Sequence, residues 1–230
     1  YEGEWADDKY EGKGAHAFAN GSTYAGGHRA GQPDGRGAKR WANGRAYVGE
    51  WRMGSRHGDG VMTFASGTKY EGFFVDGMME GDGRFVCHTG GSGMKLRPLF
   101  PLRFVCHTGA TYEGAFKANN FHGHGRMRYP NGDSYEGEWA DDKRHGSGIY
   151  RHTNGVVYDG TWEDGMRSGE GTETYPNGDK YSGSWAFDLK QGYGTMTYAN
   201  GSQYIGFWDK GVKCGAGKIL FADGGRYEGE

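Results

Sequence analysis

Nine histidines, three cysteines and 29 carboxylates are the residues of this 230-residue chain that could do chemistry. Their spacing argues against it. His57, His122 and His145 each directly precede a Gly-x-Gly. A general base needs one well-placed copy. A histidine that returns in the same local setting reads as structural, hydrogen-bonding in the loop before a strand. Cys87-His88 and Cys106-His107 have the residue types of a zinc site. Adjacent residues on a strand point to opposite faces, however, so the pairs do not converge easily. Both also belong to one duplication, in which residues 84–90 recur as 103–109. Asp7-Asp8 and Asp141-Asp142 lie in connections and read as turn formers. The Gly-x-Gly elements lack the Lys-Ser/Thr of a phosphate-binding loop and lead into strands rather than helices. No catalytic residue, cofactor-binding residue, cofactor or metal ligand is assigned, and the expectation is a protein that is not an enzyme.

The elements that place these residues repeat. Glycine accounts for 47 residues, yet aromatics reach 15%. That pairing excludes a helical bundle, in which each interior glycine costs about 0.5–1 kcal/mol. It also excludes a disordered linker, which would lack aromatic residues. Tyr-x-Gly-x-aromatic recurs every 23 residues, at Tyr1, Tyr24, Tyr47 and Tyr70 and again from Tyr112 to Tyr227. Each unit continues with Gly-x-Gly and closes on a turn such as Asn131-Gly132 or Asn177-Gly178. His28 stands where most units carry tryptophan. With Gln32-Pro33-Asp34 ahead of Gly35, it predicts a looser second unit.

Tyr135-Glu136-Gly137-Glu138-Trp139, followed by Arg144-His145-Gly146-Ser147-Gly148, resembles the membrane occupation and recognition nexus (MORN) repeat. The resemblance covers the whole chain except an excess of about 19 residues within 84–109. It gives a single array over 1–230, nine full repeats and a C-terminal stub. The expected fold is all-β, an elongated single-layer twisted antiparallel meander of hairpins.

The hairpin register follows from facing. Bulky residues should share a face, and a two-residue turn at Asn131-Gly132 would separate Met127 from Tyr135. A three-residue loop, Pro130-Asn131-Gly132, sets Met127 opposite Tyr135 and Gly125 opposite Gly137, with Gly132 left-handed. The same register puts Trp139 opposite Gly123 and, across the next connection, opposite Gly146. Glycines then form a floor beneath the tryptophans. The opposite face is polar, with Glu136 across from Arg126, and Arg128 and Arg151 nearby.

The net charge is −2. It predicts no nucleic-acid binding and gives little support to an anionic membrane, since no run of roughly four to eight Lys/Arg is present. An odd cysteine count gives no disulfide framework and fits a reducing compartment. Leu96, Phe100 and Leu102 of the excess segment read as a tolerated bulge rather than a docking loop. The open sheet edges could support homo- or hetero-oligomers. A row of aromatic rings is costly to leave uncovered, so Tyr135, Trp139, Tyr158, Trp162, Tyr181 and Trp185 are the expected partner-binding groove. The resemblance implies a scaffold holding helical or extended segments of proteins in a large assembly. It implies a cytoplasmic, cytoskeletal location, in the axoneme of a cilium or flagellum, such as a radial spoke. Related repeats also imply two alternatives, a phospholipid-associating tether or the regulatory region of an enzyme whose catalytic domain lies elsewhere.

Overall fold

The computed structural model describes residues 1–88 and 109–230. Leu96–Leu102 and Cys106-His107, for which a bulge and a zinc pair were weighed, lie outside the described residues. The chain forms two compact units, Tyr1–Gly123 and His124–Glu230. The first contains β1 (Glu2–Ala6), β2 (Lys9–Ala17), β3 (Thr23–Arg29), β4 (Gln32–Arg40), β5 (Ala46–Arg52), β6 (Ser55–Thr63), β7 (Lys69–Val75), β8 (Met78–Val86) and β9 (Thr111–Lys117). The boundary falls within β10 (Asn120–Arg128). The second contains β11 (Ser134–Ala140), β12 (Lys143–Arg151), β13 (Val157–Glu163), β14 (Met166–Thr174), β15 (Lys180–Ala186), β16 (Leu189–Thr197), β17 (Gln203–Asp209), β18 (Val212–Leu220) and β19 (Arg226–Gly229). In each unit, successive strands pair antiparallel, and the described residues include no helix.

Alternation decides the faces. Along β11, Tyr135, Gly137 and Trp139 are buried while Glu136 and Glu138 are exposed. Two kinds of connection alternate. The first is the three-residue loop: Gly132 N–H donates to Tyr129 O at 2.9 Å, and Tyr129 N–H to Asp133 O at 2.9 Å. Gly132 has φ +89°, as expected for its left-handed place. The predicted facing holds in the equivalent hairpin, where Tyr150 pairs Tyr158 and Gly148 pairs Gly160.

The second connection has two residues, and both adopt positive φ, as in Asp141 (+47°) and Asp142 (+66°). This is the primed turn that suits the twist of a hairpin. It also brings a correction. Trp139 does not face Gly146; it pairs with Arg144, because the register slips after Gly137. A bulge absorbs the extra residues, and Gly146 occupies it at φ +55°. The first glycine of Gly-x-Gly is therefore a backbone hinge rather than a floor.

Asp at the first turn position tolerates the left-handed region, whereas Phe187 does not. Phe187 sits there at φ +49° with its ring 76% exposed. Phe187→Asn should therefore raise stability by about 0.5–1 kcal/mol. Urea denaturation would register this as a higher midpoint at unchanged slope.

Two further expectations change. The second repeat is not looser: His28 is buried and pairs Pro33 in the usual register. Cys214 lies in a strand, exposed and free, opposite Phe207. Against the expectation from the odd cysteine count, Cys87 is disulfide-bonded.

Candidate functional site

The face that collects the tyrosines and tryptophans is built from one contact scheme. In the second unit, the Tyr135 hydroxyl donates to Glu138 O at 2.9 Å and Tyr158 to Thr161 O at 3.0 Å. These bonds fold each phenol back over its own strand. The ring then lies across a glycine pair: a Cβ on Gly148 would overlap the Tyr135 ring, and one on Gly137 would strike the Gly148 backbone. The glycine floor exists, but tyrosine rather than tryptophan lies on it. Each tryptophan instead donates its Nε1–H to a glycine carbonyl, Trp139 to Gly125 at 3.1 Å and Trp162 to Gly148 at 3.0 Å.

Neighbouring repeats interlock through the rings. Tyr158 meets Trp162 edge-on at 5.1 Å and Trp185 of the next repeat at 5.2 Å. Tyr135 and Tyr181 are gripped in the same way. Edge-to-face pairs of this kind add about 0.5–1.5 kcal/mol each beyond burial. The six residues singled out from sequence thus come together, but as a closed chain. None of Tyr135, Trp139, Tyr158, Trp162, Tyr181 and Trp185 is more than 5% exposed. The expected row of uncovered rings is corrected accordingly: adjacent repeats and overlying cations cover them.

Those cations are the residues sequence reasoning missed. Arg144 stands over the Trp162 ring at 4.2 Å and Arg167 over Trp185 at 4.2 Å. Each also reaches the next two-residue turn, Arg144 Nη2 to Gly165 O and Arg167 Nη2 to Asp188 O, both at 2.6 Å. A signal was present, since Arg144, Arg167, Lys190 and Lys213 follow one another at 23-residue spacing. It went unread because the bulge that turns them onto this face had no place in a continuous alternation. Beside the ring chain runs a second, half-buried aromatic row that includes Tyr129, Tyr175 and Tyr198.

Repeats also clasp along the loop edge. Asp133 accepts from Thr153 N–H at 2.8 Å, Tyr150 OH at 2.9 Å and the Asn131 amide at 3.0 Å. Burial alone would raise its pKa, but these bonds outweigh it and hold the carboxyl below its ordinary value. A depressed folded-state pKa gives stability that is present above the unfolded value of about 3.9 and is lost as pH falls further. Asp133→Asn should cost about 1–3 kcal/mol at pH 7, with the deficit against wild type narrowing at pH 3 in chemical denaturation. The tyrosines behave oppositely: burial, then Glu170, pushes the Tyr181 hydroxyl up to about 12, so it remains a donor. Nδ1 of His57 and of His122 is buried without a hydrogen-bond partner, so the loop hydrogen bonds expected of these histidines are not made by that atom.

The tyrosine clasp recurs at Tyr1, Tyr24, Tyr47, Tyr70, Tyr112 and Tyr204, each hydroxyl donating to the carbonyl three residues on. The sequence matches the MORN repeat over residues 1–23, 24–44, 47–69, 70–92, 112–134, 135–157, 158–180, 181–203 and 204–226. The chain belongs to the MORN repeat family. Its MORN repeats begin at the tyrosines that carry the ring chain, so the family period and the packing period coincide. No curated protein matches the chain. Among solved structures, the wild-type TCP10 domain of Danio rerio CPAP is similar at 12% identity with a TM-score of 0.47, over 94% of this chain and 93% of that one. The TCP domain of Drosophila melanogaster SAS-4, solved in complex with a proline-rich motif of Ana2, is similar at 11% identity with a TM-score of 0.43, over 75% and 84%.

Proposed function

We propose that this MORN protein is a non-enzymatic scaffold that holds helical or extended segments of partner proteins along its aromatic-glycine face. The observation that carries this reading is the way the face spends its polar groups. Tyrosine hydroxyls and tryptophan Nε1–H groups are bonded to the protein's own backbone, so the reachable ring surface is that of the half-buried Tyr129, Tyr175 and Tyr198, bordered by cations. Such a surface suits the apolar side of an amphipathic segment. Tyr135, Trp139, Tyr158, Trp162, Tyr181 and Trp185 form the floor. Contact with the partner falls on the half-buried Tyr129, Tyr175 and Tyr198 and on the rims of Arg144 and Arg167.

The partners are components of a large cytoskeletal assembly, an axonemal complex of the radial-spoke kind. The MORN resemblance supports this placement; no residue's chemistry does. A photo-crosslinking amino acid at position 198, compared with one at position 195 on the other face, tests the contact surface in ciliated cells. Crosslinks to axonemal proteins from position 198 alone support the reading. Crosslinks confined to position 195 would remove the aromatic face as the contact surface, and a tagged chain that stays out of cilia would remove the axonemal placement.

A further inference from the structure

The opposite, polar face of the second unit sorts its charges by row. Strand register aligns Ser134, Arg151, Val157, Thr174, Lys180 and Thr197 as successive partners at the three-residue-loop edge. Arg128 joins this edge, lining with Arg126 and Ser134 a hollow of about 260 Å³. The edge holds Arg128, Arg151 and Lys180 and not one carboxylate. One row further in, the same register aligns Glu136, Ile149, Asp159 and Thr172, where carboxylates enter. Glu136 already faces Arg126 at 3.9 Å. Arg128, Arg151 and Lys180 are all exposed. None of them forms an ion pair among the described residues. The nearby loop carboxylates Asp133 and Asp179 are committed elsewhere, accepting backbone N–H groups of Thr153 and Ala199.

We infer that this edge is a second docking surface, for an extended acidic segment of a partner protein. The charge pattern selects the occupant. A flat anionic membrane laid on this face would meet Glu136 and Asp159 as well as the cations. A single extended chain is narrow enough to follow the edge alone. Spacing fixes its register. Arg128 to Arg151 is two strand steps, about 10 Å, and Arg151 to Lys180 is three, about 14 Å. At about 3.4 Å per extended residue, with side chains alternating between faces, acidic residues at i, i+2 and i+6 share one face at spacings of about 7 and 14 Å, within side-chain reach of the three cations. The hollow beside Ser134 takes the first of them. The net charge of −2 conceals this edge because its cations are far apart in sequence and adjacent only across the sheet.

The test is fluorescence anisotropy on the full chain. The probe is a labelled twelve-residue peptide with glutamate at those three positions and serine elsewhere. Saturable binding that weakens with added salt is expected. The triple variant Arg128→Gln/Arg151→Gln/Lys180→Gln should bind about tenfold more weakly, with its thermal unfolding unchanged because all three side chains are exposed. A control triple at the exposed Lys9, Lys143 and Lys210 should bind as wild type does. Equal affinity in the two triples would overturn the proposal. So would capture of phosphatidylserine vesicles or duplex DNA through the same three residues while the peptide fails to bind.

Discussion

Replacing Gly148 by alanine lowers the unfolding free energy of this protein by about 3–4 kcal/mol. The cost is steric. Gly148 is not among the positive-φ residues, so its backbone suits any residue. The added methyl would occupy the space of the Tyr135 ring, which is fully buried and tied to Glu138 O. To make room, the ring must leave its glycine seat, give up that hydrogen bond and break its edge contact with Trp162. Gly211→Ala provides the contrast. Gly211 has φ +84° and nothing within 4 Å of its would-be Cβ. Only backbone strain remains there, about 1–2 kcal/mol. Urea denaturation of the two variants separates the effects: a Gly148→Ala cost no larger than that of Gly211→Ala would show that the ring seat is not what the glycine provides.

Glu173→Ala is expected to cost about 3–5 kcal/mol. Glu173 is the one carboxylate of the second unit set opposite a Tyr-x-Gly tyrosine; the matching positions on β12, β16 and β18 are Tyr150, Met196 and Ile219. It survives burial by being fully engaged, at 2.6 Å from Arg167 Nη1 and 3.3 Å from Lys190 Nζ, and it accepts the Tyr175 hydroxyl. Burial opposes its charge, but these three partners outweigh burial and hold its pKa down. Alanine leaves Lys190 without its counter-ion in a half-buried site and strips Arg167 of one of its two carboxylate partners, Asp188 being the other. Glu173→Met should be milder, about 1–2 kcal/mol, because Arg56 beside Met62 already shows that an arginine is accommodated next to a thioether, Nη1 to Sδ at 3.4 Å. The sign with pH is fixed by the depressed pKa. The advantage of wild type over Glu173→Met is present above about pH 4.3, the unfolded value, and fades as pH falls below it. An advantage that instead grew in acid would refute this assignment.

Much of the architecture was legible in the residues. Pro130-Asn131-Gly132 was read as a three-residue loop because only that length puts Met127 and Tyr135 on one face, and the equivalent hairpin shows the same pairing. The bulge at Gly146 was not read. Gly-x-Gly carries no local sign of which glycine lacks space for a side chain and which needs positive φ. That lapse displaced Arg144 from Trp139 and hid the cations that lie over the rings. The six aromatic residues were identified correctly as a set, but their exposure was misjudged. Exposure depends on how the tryptophan of one repeat closes on the tyrosine before it, a contact between repeats that no single repeat displays.

The clasps between repeats have a consequence for how the chain acquires and keeps its structure. In the second unit, Asp133 reaches Thr153 and Gly165 reaches Arg144, and the clasps of Arg144 and Arg167 span 21 residues. These clasps join neighbouring repeats, so their contact order is low and zippering through them is fast for an all-strand protein. Unzipping should likewise begin at any repeat that grips a neighbour on one side only. A gene that gains or loses one 23-residue block leaves every remaining joint chemically unchanged. Array length can therefore drift in evolution while the joint itself stays fixed.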